Sequence, residues 1–139
     1  MAREIKFRAW DEEEKKMHYS DSKLDYGIWF SLDRGKVECL RNCAYTDSFG
    51  DEHDDWQPLD NIMEYTGLKD ECGKEIYEGD ICKNIVDNHI LKVTYWETDG
   101  SYMFEDQNEN GNGYNLYEFG EVEVIGNIFE NPELLEVVS

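Results

Sequence analysis

The residues best suited to hold an ion or transform a substrate fall into four groups. Asp106-Gln107-Asn108-Glu109-Asn110-Gly111 reproduces the first half of an EF-hand calcium loop, with oxygen ligands at positions 1, 3 and 5 and glycine at 6. The second half departs from it. Gly113 takes the usually apolar position 8, Tyr117 stands where the bidentate glutamate belongs, and Glu118 follows one place late. The flanks read as strands, so a polar hairpin loop is expected rather than a calcium site. Asp51-Glu52-His53-Asp54-Asp55, followed by Trp56 and Pro58, reads as an exposed loop. Cys39, Cys43, Cys72 and Cys82 give only one close pair, and zinc sites favour two. On one strand Cys39 and Cys43 would stand about 13 Å apart at ~3.3 Å per residue, too far to share a metal unless the strand ends between them. His18, His53 and His89 are dispersed, and no nucleophile elbow, P-loop, dinucleotide fingerprint or H-E-x-x-H motif is present. The expectation is no catalytic residue, no cofactor, no metal and no enzymatic activity.

Charge narrows the partners. The chain of 139 residues carries a formal net charge of −20 at pH 7. Residues 1–58 hold nine Lys or Arg against fourteen Asp or Glu, and residues 59–139 hold four against nineteen. After Lys92 there is no Lys or Arg, while eleven acids follow. Sequence-independent nucleic-acid affinity comes from basic side chains displacing counterions, so direct binding to nucleic acid or to an anionic membrane is not expected. No apolar run is long enough to span a bilayer, and the first ten residues alternate charge with apolar side chains instead of forming a signal-peptide core. A cytoplasmic protein with reduced thiols is expected, without disulfides.

The elements that must position these residues are mostly strands. Nineteen aromatics argue for a folded core, and only three alanines argue against long helices. In Ile5-Lys6-Phe7-Arg8-Ala9 the apolar and basic residues alternate, as in a strand with one buried face. Residues 12–16 read as a turn. Residues 26–32 and 37–40 read as a hairpin, and 42–58 as a long loop. Further strands are expected at 61–66, 74–77, 81–86, 90–96, 101–104, 114–119 and 121–129, with Asp99-Gly100 as a hairpin signal. Asn131-Pro132-Glu133 marks a short helix, with Asn131 as its cap. Residues 12–24 and 59–66 also leave room for a short helix. The expected class is mainly β, with antiparallel strands and few short helices. A β-rich N-terminal region with a long loop is placed at 1–58, and a C-terminal region at 59–139.

Three blocks of the chain resemble the YopX family of phage and prophage proteins. They are Arg3 to Asp11; Tyr65-Thr66-Gly67-Leu68-Lys69-Asp70 with Gly73 to Ile81; and Val122 to Leu135. The resemblance implies a small SH3-like barrel in the C-terminal region, a phage or prophage origin within a bacterial cytoplasm, and self-association. It implies no catalytic residues. Residues 18–57 match none of the family pattern. Gly67, Gly73, Gly79 and Gly126 are expected to serve turns, bulges or close backbone approach.

Two functions follow. The first is an accessory protein working by protein–protein contact as a homo-oligomer. In it the basic face of Arg3, Lys6 and Arg8 meets acidic strand positions such as Glu121 and Glu123, within or between subunits, with Trp10 a core or interface aromatic. The alternative is an acidic nucleic-acid mimic that blocks a basic host protein.

Overall fold

The computed structural model describes residues 5–21, 27–33, 36–116 and 121–136. Arg3, the tip of the first expected hairpin at residues 34–35, and residues 117–119 lie outside them. The described residues contain fourteen antiparallel strands, one 3₁₀ turn and one short helix, α1 (Glu133–Glu136). The protein is mainly β. It divides into two compact units, residues 6–63 and residues 64–136 with Ile5.

In the first unit β1 (Phe7–Asp11) and β2 (Lys16–Tyr19) form a hairpin closed by the turn at 12–15. Asp11 fixes that turn, because its Oδ1 accepts the Glu13 and Glu14 amides at 3.1 and 3.2 Å. The alternation expected of β1 is not followed in burial. Ile5 is 72% exposed, while Arg8 is only 3% exposed and Ala9, Trp10 and Asp11 are buried beside it. β1 is buried on both faces, so residue type no longer reports which way a side chain points.

β3 (Ile28–Asp33), β4 (Lys36–Asn42) and β7 (Trp56–Pro58) make a three-stranded sheet in that order. The stretch 42–58 is therefore not a plain loop, since it carries β7 and the two-residue pair β5 (Tyr45–Thr46) and β6 (Glu52–His53). Side-chain contacts hold so short a pair: Tyr45 stacks on His53 with ring centroids 5.2 Å apart, and Asp47 accepts the Phe49 and Asp51 amides.

β8 (Asn61–Lys69) carries the chain from one unit into the other, so residues 59–66 form no helix. In the second unit β8 pairs with β9 (Glu75–Tyr77) across a bulge between Tyr65 and Lys69. Gly67 sits in the bulge at φ 90°, a conformation that suits residues without a Cβ. Thr66 donates its hydroxyl to the Ile76 carbonyl at 2.7 Å. Asp70 accepts the Cys72 and Lys74 amides on one oxygen and the Val124 amide on the other, at 2.9, 2.7 and 2.9 Å. The Tyr65–Asp70 block is thus a structural joint that fastens a turn to a distant strand.

A five-stranded antiparallel half-barrel follows, ordered β13 (Asn112–Asn115), β12 (Ser101–Asp106), β11 (Ile90–Trp96), β10 (Asp80–Asn84) and β14 (Val122–Asn127). Its inner face alternates as the sequence does. Leu91 and Val93 are buried while Lys92 and Thr94 are half-buried, and Val93 lies opposite Phe104. Cys82, Val122 and Val124 complete the same apolar cluster. A Cβ on Gly126 would come within 2.4 Å of Asn131 Oδ1. That side chain is turned back to accept the Asn127 amide at 3.2 Å, so Asn131 braces the end of β14 rather than capping α1.

Candidate functional site

Three places bring chemically capable side chains together. The first is the outer face of the β3–β4–β7 sheet. Trp29 lies opposite Leu40, Leu40 opposite Pro58, and Asn42 opposite Trp56. Because side chains alternate along a strand, all five share one face. The other face carries buried Cys39. Trp29 is 61% and Trp56 41% exposed, a large apolar area left in water. Leu40 and Pro58 also line a pocket of about 330 Å³ with Val37, Cys39, Leu59 and Ile62.

The second place is a buried charge cluster in the β1–β2 hairpin. Asp11, 1% exposed, is met by His18 Nε2 at 3.3 Å and by Arg41 Nε at 3.1 Å. Arg41 reaches further, to Glu14 at 3.2 Å and to Glu13. Asp11, Glu14 and His18 offer ligand atoms close enough to share a metal ion, but the guanidinium already supplies the positive charge. Hydrogen bonding to Glu13 and the charge of Asp11 hold the Arg41 pKa above its ordinary value, against the cost of burial, which is the largest single influence.

The third place is at the rim of the half-barrel. Asp106 caps the 3₁₀ turn Gln107–Glu109 by accepting the Asn108 amide on Oδ1 at 2.9 Å. Its Oδ2 lies 2.8 Å from His89 Nδ1. Asp87 Oδ2 is 3.6 Å from the same nitrogen. Glu109 completes the group and accepts a hydrogen bond from the Tyr114 hydroxyl. The Asp106 hydrogen bond raises the His89 pKa above its ordinary value; burial opposes it, and the charges of Asp106, Asp87 and Glu109 reinforce it. The Glu109 hydrogen bond, then burial, pushes the Tyr114 hydroxyl up. The half-loop read in the sequence is thus a capped turn, and the missing partner is an imidazole from 17 residues earlier.

The other expected residues are placed as follows. Lys6 pairs with Asp21 at 3.6 Å. Arg8 is buried, and Trp10, also buried, donates its indole N–H to Glu12 at 2.6 Å. Glu121 is exposed just before β14, and Glu123 lies opposite Lys83 in the half-barrel. Lys6, Arg8 and Trp10 belong to one unit, Glu121 and Glu123 to the other. Asp51 to Asp55 do not converge: His53 turns to Asp47 at 2.7 Å and Asp54 accepts from Asn42 at 3.1 Å. Cys39 and Cys82 are buried thiols, with burial the first cause of the raised Cys82 pKa.

These features define a class: an antiparallel β protein of two units, with an aromatic outer face on one and a small half-barrel as the core of the other. The chain belongs to the YopX family, whose model, described as YopX protein, matches residues 6–136. The match runs through residues 18–57, which the sequence blocks had left outside the family pattern. Two solved structures are similar over almost their whole length. Protein EF1440 from Enterococcus faecalis is 27% identical with a TM-score of 0.56, covering 96% of this chain and 99% of its own. Protein yopX from Bacillus subtilis is 25% identical with a TM-score of 0.55, covering 96% and 98%. No curated protein sequence matches the chain. Among the described residues, no helix is long and apolar enough to cross a membrane.

Proposed function

We propose that this protein is a phage or prophage accessory protein that acts by protein–protein contact and pairs with a second copy of itself through the outer face of β3–β4–β7. The observation that carries this reading is the pair of exposed indoles, Trp29 and Trp56, on one sheet face with Leu40 and Pro58. Tryptophan concentrates at the centres of interfaces, where a large ring is buried with few rotatable bonds to freeze. A chain of net charge −20 repels its own copies, and this face lies in residues 1–58, where basic residues are most frequent. The acidic-mimic reading has less support, because Lys83 and Lys92 lie across from Glu123 and Glu105 and break the single-sign surface that mimicry needs.

Sedimentation velocity over a range of concentrations tests the proposal. The wild type is expected to shift from monomer to dimer below about 100 µM, and Trp29→Glu with Trp56→Glu to stay monomeric at that concentration. A wild type that remains monomeric, or a folded double variant that dimerises equally well, contradicts it.

A further inference from the structure

We infer that His89, Asp106 and Glu109 form a binding site for a divalent transition-metal ion, zinc or a chemical relative, at the rim of the half-barrel. The ligand atoms all lie within 4.8 Å of one another. Each is held by a separate restraint. The Asn108 amide fixes Asp106 Oδ1 and so directs Oδ2 toward His89. The His89 backbone is held at both ends, its N–H by Asp87 at 2.9 Å and its carbonyl by the Asn84 amide at 2.9 Å. Asn108 Oδ1 accepts the Ile90 amide at 2.8 Å and clamps the 3₁₀ turn to the start of β11. The Tyr114 hydroxyl orients Glu109. Such outer contacts are what metal sites use to aim their ligands.

A second observation is the charge balance. Asp87, Asp106 and Glu109 surround one imidazole, and among the described residues none of the three is paired with a Lys or Arg. The sequence offers none after Lys92. One imidazole can offset at most one of these three negative charges, whereas a bound dication offsets two. The donor set selects the ion: an imidazole nitrogen beside carboxylate oxygens suits zinc, manganese or iron, while calcium and magnesium favour oxygen alone. Three protein ligands leave room for a water or an incoming group.

The test is calorimetric titration with zinc chloride in a Cys72→Ser background, which removes the exposed thiol as a competitor. One equivalent is expected to bind. His89→Ala and Glu109→Gln should each weaken binding about tenfold or more, and His53→Ala, which removes a more exposed His–Asp pair, should leave it unchanged. Circular dichroism establishes that each variant folds, and Glu109→Gln keeps the side-chain volume should His89→Ala not. Absence of binding at ~1 mM zinc, or equal affinity in all variants, overturns the inference.

Discussion

The two histidine–carboxylate clusters are built from the same residue types and differ in one partner. In the β1–β2 hairpin, Asp11 and His18 are sealed from water and Arg41 reaches across to Asp11, Glu13 and Glu14. At the half-barrel rim, His89 stands half-buried among Asp87, Asp106 and Glu109, and among the described residues no guanidinium pairs with them. A buried carboxylate met by an arginine already has its cation within the fold. A carboxylate group with no Lys or Arg paired to it among the described residues has capacity left for a cation. The lesson is that ligand spacing alone does not mark a metal site, and that what neutralises the ligands decides it.

The largest effect should come from emptying the sealed cluster. Asp11→Ala removes the buried carboxylate that His18 and Arg41 meet and the cap on the turn at 12–15, so stability should fall by about 3–5 kcal/mol in urea unfolding. A loss under about 1 kcal/mol would show that the cluster contributes little and would undo the contrast. Asp106→Asn should cost less, about 1–2 kcal/mol, because the amide keeps a cap oxygen while the charge partner of His89 is lost. It should also abolish zinc binding.

Arg41→Gln sharpens the comparison from the other side. With the guanidinium gone, Asp11, Glu14 and His18 keep a ligand spacing without its positive charge, so zinc should raise the Tm of this variant more than that of the wild type. Equal shifts would mean that Arg41 is not what excludes the ion.

The smallest effect concerns the third pair, Asp47 and His53. The His53 hydrogen bond, then the Asp51 amide, lowers the Asp47 pKa below its ordinary value. A lowered carboxylate pKa stabilises the β5–β6 loop above the unfolded value, and that contribution disappears as pH falls through the folded one. Carboxyl-carbon NMR should show Asp47 titrating below an ordinary aspartate, and His53→Ala should move it upward. An unchanged titration in the variant would assign the shift to the backbone amides alone.

Much of the fold was legible because half of it follows one rule. β11 runs from Ile90 to Trp96 as its alternation predicts, and the Asp99-Gly100 signal falls in the turn before β12. β14 likewise turns Val122 and Val124 inward and Glu123 outward. The rule fails where its premise fails. Arg8 is buried because β1 has no exposed face, and β5 to β7 are too short for any period to register. The clusters were less legible still. Asp11 and His18 meet through the β1–β2 hairpin and Arg41 reaches them from a different sheet, while His89 and Asp106 meet through the β11–β12 pairing, and neither full set is contiguous in sequence. One signal was available: extending the Asp99-Gly100 hairpin puts Leu91 opposite Asp106, which delivers His89 to the very loop whose first half resembles a calcium site. The aromatic face is hidden in the sequence because residues 42–58 look like a loop, and only the pairing of Trp56 with Asn42 puts it on the same sheet face as Trp29.

The most direct measurement of the contrast between the two clusters is a zinc-edge anomalous difference map from crystals grown with zinc chloride. One peak is predicted within bonding distance of His89, Asp106 and Glu109, and none between Asp11, Glu14 and His18. A peak at the Arg41 cluster, or density at neither, would contradict the account.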